Sequence, residues 1–225
     1  KMNRRNFIYN SSLASLSVVG LNSCNLNSRN LKITILHTND VHSQIEPFPS
    51  NHNLYPNKGG FARRASLFKE IIELNPNTLI FDAGDIFQGT PYFNFFQGDL
   101  ELSLMKKMGY NAATIGNHEF DPGLKMLKQN IINNDFQFIS SNYDFTNTEL
   151  EGLVSKYKIY NKGGLKIGVF GLGIELKGLV NPLLFGETKY YDPVDIAKDM
   201  SSKLKFEKGC DLVICISHLG HQYQI

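Results

Sequence analysis

The chain has 225 residues, 42% of them hydrophobic, which is enough for one large domain with a sizeable core. Its formal charge is +2, yet Lys1, Arg4, Arg5 and Arg29 precede any acid; without those four, 19 basic residues face 21 acidic ones. There is no basic stripe of the kind a nucleic acid duplex requires, and Cys24, Cys210 and Cys215 form neither a CxxC pair nor a zinc-finger spacing.

Residues 1–30 read as an export signal and tether, separate from a domain over 31–225. Asn3-Arg4-Arg5-Asn6-Phe7-Ile8 is a twin-arginine n-region, followed over 13–21 by a mildly apolar stretch too short to span a bilayer. Leu21-Asn22-Ser23-Cys24 resembles a bacterial lipobox. That resemblance implies cleavage before Cys24, lipidation of its thiol and a membrane partner through the acyl chains. Export would then place the protein in the periplasm or on the outer-membrane or cell surface.

The first strand is expected over 31–36, where apolar residues alternate and β-branched residues are enriched. It opens into His37-Thr38-Asn39-Asp40-Val41-His42. Asp40 and His42 are two apart, so an extended chain would turn both toward one face. The Pro- and Asn-rich loop 44–58 holds His52, read as a surface residue. Gly59-Gly60 precede an amphipathic helix over 61–74, which Asn75-Pro76-Asn77 stops. The second strand, 78–81, is apolar throughout, as in a strand covered on both faces, and runs into Asp82-Ala83-Gly84-Asp85.

A helix over 100–108 ends at Gly109, and the apolar run 112–115 breaks into Gly116-Asn117-His118-Glu119-Phe120-Asp121. A further helix reaches to about 133, with Leu124, Leu127 and Ile131 on one face, and a strand is expected over 136–140. Segments 154–160 and 165–172 read as a β-pair joined by Asn161-Lys162-Gly163-Gly164. A helix over 193–208 ends at Gly209, and a last strand, 212–216, opens into Ser217-His218-Leu219-Gly220-His221. Cys210 and Cys215 read as buried thiols; Tyr143, Phe93, Phe95 and Phe96 read as core or domain-contact residues.

Strands alternating with helices give an α/β fold. Each polar cluster follows an apolar strand, and in α/β sheets the carboxyl ends of the strands gather where ligands bind. The collected donors are carboxylate, imidazole and amide without thiolate, a set suited to Mn, Zn, Fe or Co. A carboxylate can bridge two such cations, and a bridged pair can clamp a phosphate for in-line attack.

On these motifs, together with Gly59-Gly60-Phe61-Ala62-Arg63 and Ser141-Asn142-Tyr143, the chain resembles the calcineurin-like metallophosphoesterases, in their bacterial 5′-nucleotidase/UDP-sugar hydrolase branch. The resemblance implies a four-layer αββα sandwich, incomplete at the C-terminus, with two divalent metal ions. Asp40 and His42 would hold the first, Asp85 would bridge, and Asn117 and His218 would hold the second. His118 would be the catalytic imidazole, oriented by Asp121, and Asn117 and His118 would also touch substrate. His37 would support the site by packing or hydrogen bonding, and His221 would support either the site or only the fold.

The implied reaction is hydrolysis of nucleotide phosphomonoesters by a metal-bridging hydroxide. The alternatives on the same scaffold are a 2′,3′-cyclic nucleotide phosphodiesterase, a thiosulfohydrolase, and a surface lipoprotein without catalysis. The family draws further ligands from a later Gly-His-x-His or Gly-His-x-Gln segment and binds the nucleoside with a C-terminal domain, neither of which occurs before Ile225. The 225-residue chain by itself is therefore expected to bind metal weakly and turn over poorly.

Overall fold

The structure is a computed structural model that describes residues 31–220. The export signal, Cys24 and His221 lie outside the described residues. From Lys32 onward the chain belongs to a single unit. In chain order its elements are β1 (Thr34–Thr38), α1 (Phe61–Leu74), β2 (Thr78–Asp82), α2 (Pro91–Phe96), α3 (Asp99–Met108) and β3 (Ala112–Ala113). A 3₁₀ turn (His118–Phe120), α4 (Leu124–Asn134), β4 (Tyr143–Asp144), β5 (Tyr157–Lys162) and β6 (Leu165–Gly173) follow. Then come α5 (Pro182–Phe185), β7 (Lys189–Tyr190), α6 (Pro193–Ser202) and β8 (Leu212–His218).

Two three-stranded sheets carry the fold. The first, in order β1-β2-β3, is wholly parallel; the second is β5-β6-β8, with β5 and β6 antiparallel and β6 and β8 parallel. Alternation along the strands assigns the layers. Leu79 and Phe81 of β2 pack with Ile167 and Val169 of β6, which places the second sheet on that face. Ile80, between them, packs with Phe61, Leu102 and Leu127 on the helix side. On β6, Phe170 and Leu172 face away from the first sheet, toward Leu204, Ile196 and Met200. Helices, sheet, sheet and helix therefore stack in four layers, the arrangement expected. Phe81 is 1% exposed, and truncating it to Ala would cost about 3–5 kcal/mol.

Some elements depart from the sequence reading. Segment 137–141 makes no continuous ladder, because it divides its hydrogen bonds between the sheets. Ala113 N donates to Gln137 O and Ile139 N to Ala113 O, while Ser141 N donates to Gly171 O of β6. The hairpin turn is only Gly163-Gly164, both at positive φ, so β5 extends through Lys162. The helix begun at Pro193 loosens into a π-helical turn over Lys203–Glu207.

Cys210 is buried as expected, but Cys215 is exposed on β8, which has a strand neighbour on one side only among the described residues. Phe93 and Tyr143 are core residues, whereas Phe95 is 82% and Phe96 48% exposed. A six-residue helix has one face to bury, and α2 buries Phe93; the other two line an open groove with Pro47, Pro49, Pro91 and Tyr92.

Candidate metal centre

The parallel strands β1, β2 and β3 end at one edge, and their loops are zipped together. Asp40 N donates to Gly84 O (3.0 Å), His42 N to Asp85 O (3.1 Å) and Ser43 N to Ile86 O (2.8 Å). Asp40, His42, Ser43 and Asp85 all have φ between 42° and 55°. This left-handed backbone is costly for residues with a Cβ, roughly 1–3 kcal/mol each, and persists only where surrounding bonds enforce it. Glycines let the loops approach: a Cβ on Gly84 would lie 2.7 Å from Gly116 N, and one on Gly116 would lie 2.7 Å from Asp85 N.

Asp85 occupies the centre and is almost fully buried. Its Oδ1 accepts from His118 N at 2.9 Å. Its Oδ2 lies 3.2 Å from His218 Nε2, 3.9 Å from His118 Nε2 and 4.0 Å from His42 Nε2. Burial alone would raise the Asp85 carboxyl, but the His218 hydrogen bond, the His118 amide and the imidazole charges outweigh it and hold the group below the usual range. Burial would likewise lower His218, yet the facing Asp85 carboxylate carries it up to about 9. The centre therefore favours positive charge. His218 Nδ1 sits 2.9 Å from Ala83 O, so it donates there and directs Nε2 at Asp85.

Donor atoms gather in two groups, each within 4.8 Å: His42, Asp85 and His118, and Asp40, Asp85 and His218. Asp85 belongs to both. Asp40 Oδ1 is 3.7 Å from His42 Nε2, so the groups adjoin. Asn117 lines the same cleft of about 740 Å³, beside Asp40, Asp85 and His218. The donors are oxygen and imidazole nitrogen with no thiolate, and the shared carboxylate suits a pair of divalent cations. His118 Nδ1 is bonded to Asp121 Oδ2 at 2.7 Å, and its ring meets that of His42 edge-on at 5.1 Å. His37, expected to support the site by packing or hydrogen bonding, is exposed on β1 and lines the cleft, its position alternating away from the helix-facing core.

Three buried carboxylates went unassigned in the sequence. Glu119 is fully buried; its Oε2 accepts from Gly116 N (2.6 Å) and Asp85 N (3.0 Å), its Oε1 from Ile86 N (2.6 Å). Burial first, and the Asp85 charge second, push it up to about 7 against the pull of those N–H groups. Asp82, also fully buried, accepts from Thr38 Oγ1 and from Gly84 N; Thr38 in turn meets Tyr110 OH (2.7 Å), to which Arg64 donates. Burial pushes Asp82 up to about 7. Glu101 accepts from Ser43 Oγ behind His42, and its Oε2 has no partner among the described residues. Glu119 and Asp82 sit within motifs that sequence reading singles out, so position marks them; Glu101 carries no such signal.

The profile described as Calcineurin-like phosphoesterase matches residues 33–224. A snake venom 5′-nucleotidase of Gloydius brevicauda is 34% identical over 197 residues, covering 84% of this chain and 33% of that protein. The 5′-nucleotidase of Vibrio parahaemolyticus is 33% identical over 195 residues, covering 84% of this chain and 34% of that protein. Among solved structures, a 5′-nucleotidase precursor from Thermus thermophilus superposes with a TM-score of 0.75 at 33% identity, over 84% of this chain and 37% of that one. The chain thus spans about a third of the length of the curated relatives it matches.

Proposed function

This chain belongs to the calcineurin-like phosphoesterase family, and we propose that it carries the metal-dependent chemistry of nucleotide phosphomonoester hydrolysis. The observation that supports this reading most is the sharing of Asp85 by two donor groups. Asp40, His42, Asp85, Asn117 and His218 would hold two divalent cations. Such a pair, when bound, supplies Lewis acidity toward phosphoryl oxygens and lowers the pKa of a water. His118, with Nδ1 spent on Asp121, has its Nε2 3.9 Å from Asp85 Oδ2, from where it would donate to the phosphoryl group or the leaving oxygen. Asp121 fixes that ring's tautomer and orientation.

The 5′-nucleotidase relatives support a nucleotide as the substrate. Phosphate from AMP, the ring-opened monophosphate from a 2′,3′-cyclic nucleotide and sulfate from a thiosulfate conjugate, each assayed with added Mn²⁺, test the assignment. AMP is expected to be cleaved, slowly, and chelation or Asp85→Asn to abolish the release. Release that survives Asp85→Asn would refute the dimetal reading, and cleavage of the conjugate alone would replace the substrate class.

Residues 1–30 are proposed to direct export, with Cys24 lipidated; Cys24→Ser should move the protein from membrane to soluble fractions. Among the described residues no helix is long and apolar enough to cross a membrane.

A further inference from the structure

Glu119 lies one residue beyond His118, yet its side chain turns the opposite way. It is 0% exposed, while the His118 side chain is a third exposed. Both its oxygens are spent on backbone donors from two different loops. Oε2 takes Asp85 N and Gly116 N, Oε1 takes Ile86 N at 2.6 Å and, more weakly, Phe87 N at 3.4 Å. No oxygen is left for a cation. The residue it grips is the one carboxylate common to both donor groups, and that residue is held at φ 55°. His118 N then fixes Asp85 Oδ1 from the same 3₁₀ turn. Asp85 is thus clamped through its own amide from beneath and through one oxygen from above, which leaves Oδ2 to the three imidazoles.

We infer that Glu119 is the positioning residue that makes the centre dinuclear: by bonding the amides of residues 85, 86 and 116 together, it holds the bridging carboxylate where two cations can share it. The inference rests on the two-cation reading above. A carboxylate is required because only it offers acceptors on both oxygens. Glutamine of the same shape keeps one acceptor and turns an NH₂ toward amides that can only donate.

The test compares the full 225-residue chain with Glu119→Gln and Glu119→Asp. Two readouts are used. In metal-free protein, amide hydrogen exchange is followed at residues 85–87 and 116. With Mn²⁺ alone as probe, equilibrium titration gives stoichiometry and affinity, and electron paramagnetic resonance reports whether two Mn²⁺ ions are exchange-coupled.

The wild type is expected to protect those amides and to take up a coupled pair. Glu119→Gln should speed exchange at these amides specifically, lose the coupled signal, and weaken Mn²⁺ binding by about 10–100-fold. Should it fail to fold by circular dichroism, Glu119→Asp, which keeps the charge but not the reach, carries the same expectation in milder form. A merely structural residue would lower the melting temperature and leave the coupled signal and stoichiometry intact, and that result overturns the inference. If the wild type itself takes up no coupled pair, the two-cation reading falls, and the clamp is then judged by exchange alone: unchanged protection in Glu119→Gln removes it as well.

Discussion

His118 belongs to one of the two donor groups and is also paired with Asp121, so its proposed part in the chemistry is read with metal saturating. The 2.7 Å contact uses Nδ1, and Nε2 lies 3.9 Å from Asp85 Oδ2. On the proposed proton-transfer role of His118, Asn in its place should lower kcat by about 10²–10⁴-fold. Asp121→Asn leaves the ring but releases its orientation, and about 10–100-fold is expected. Steady-state kinetics at saturating Mn²⁺ measure both, with KM expected to move little. Asp82 offers a different test, on stability.

Its carboxyl ionises near 3.8 when unfolded and near 7 when buried. The folded chain therefore holds a proton that the unfolded chain has released over that window. Folding stability contributed by this group is greatest below about 3.8 and falls as pH rises toward about 7, by at most about 1.4 kcal/mol per pH unit. Asp82→Asn should flatten the decline of melting temperature between those pH values, and an unchanged slope would show that Asp82 ionises normally.

At this scale the sequence was legible where a polar donor followed an apolar strand, as at Asp40, Asp85, Asn117 and His218. It was illegible at Glu119, because a Glu in a short polar motif reads the same whether it faces water or the amides beneath. Only the tertiary fold decides that.

Among the elements, the loops carry more strain than the strands they leave. Asp40, His42, Ser43, Asp85 and Gln88 are all in the left-handed region in the loops that follow β1 and β2, and close packing of Gly116 against Asp85 keeps those loops in register. Gly116→Ala would drive a methyl group into Asp85, costing about 1–3 kcal/mol and displacing the shared carboxylate. Thermal melting should show the loss, and Mn²⁺ titration should show weakened binding of both ions together. If only stability falls, Asp85 has absorbed the methyl without moving its carboxylate.

The regular elements were readable from periodicity. The apolar stripe of α4 buries Leu124, Leu127 and Ile131, and the Gly-Gly signal does turn β5 into β6. A strand is expected over 136–140, yet the chain over 137–141 serves both sheets in turn, and no local pattern encodes a change of partner. The helix α2 escaped notice because six residues with three phenylalanines show no helical stripe.

The whole molecule sets the two sheets face to face, and the centre lies where their strand ends meet. Asp40, His42, Asp85 and Asn117 come from loops of the first sheet; His218 ends β8 of the second and reaches Ala83 O at 2.9 Å. The four-layer stacking is what the family resemblance implies; the apolar run of β2 by itself says only that this strand is covered on both faces. The meeting of His218 with Asp85 is expected from the family resemblance and not from any local pattern, since they lie far apart in the chain and the pairing of β8 with β6 brings them together.

A cation held by donors from both sheets would tie the layers as well as serve chemistry, because it binds the assembled sandwich and not the unfolded chain. At a free Mn²⁺ concentration about 100 times Kd, one site adds about 2.7 kcal/mol, or about 5–10 °C in melting temperature for a domain of this size. Asp85→Asn should abolish that rise, since it removes the donor both groups share. His218→Ala should reduce it and, in metal-free protein, also loosen β8, which hydrogen exchange along Leu212–His218 would report. A melting temperature indifferent to Mn²⁺ in the wild type would mean that the sandwich closes without a cation and that the zipped loops alone hold the donors in place.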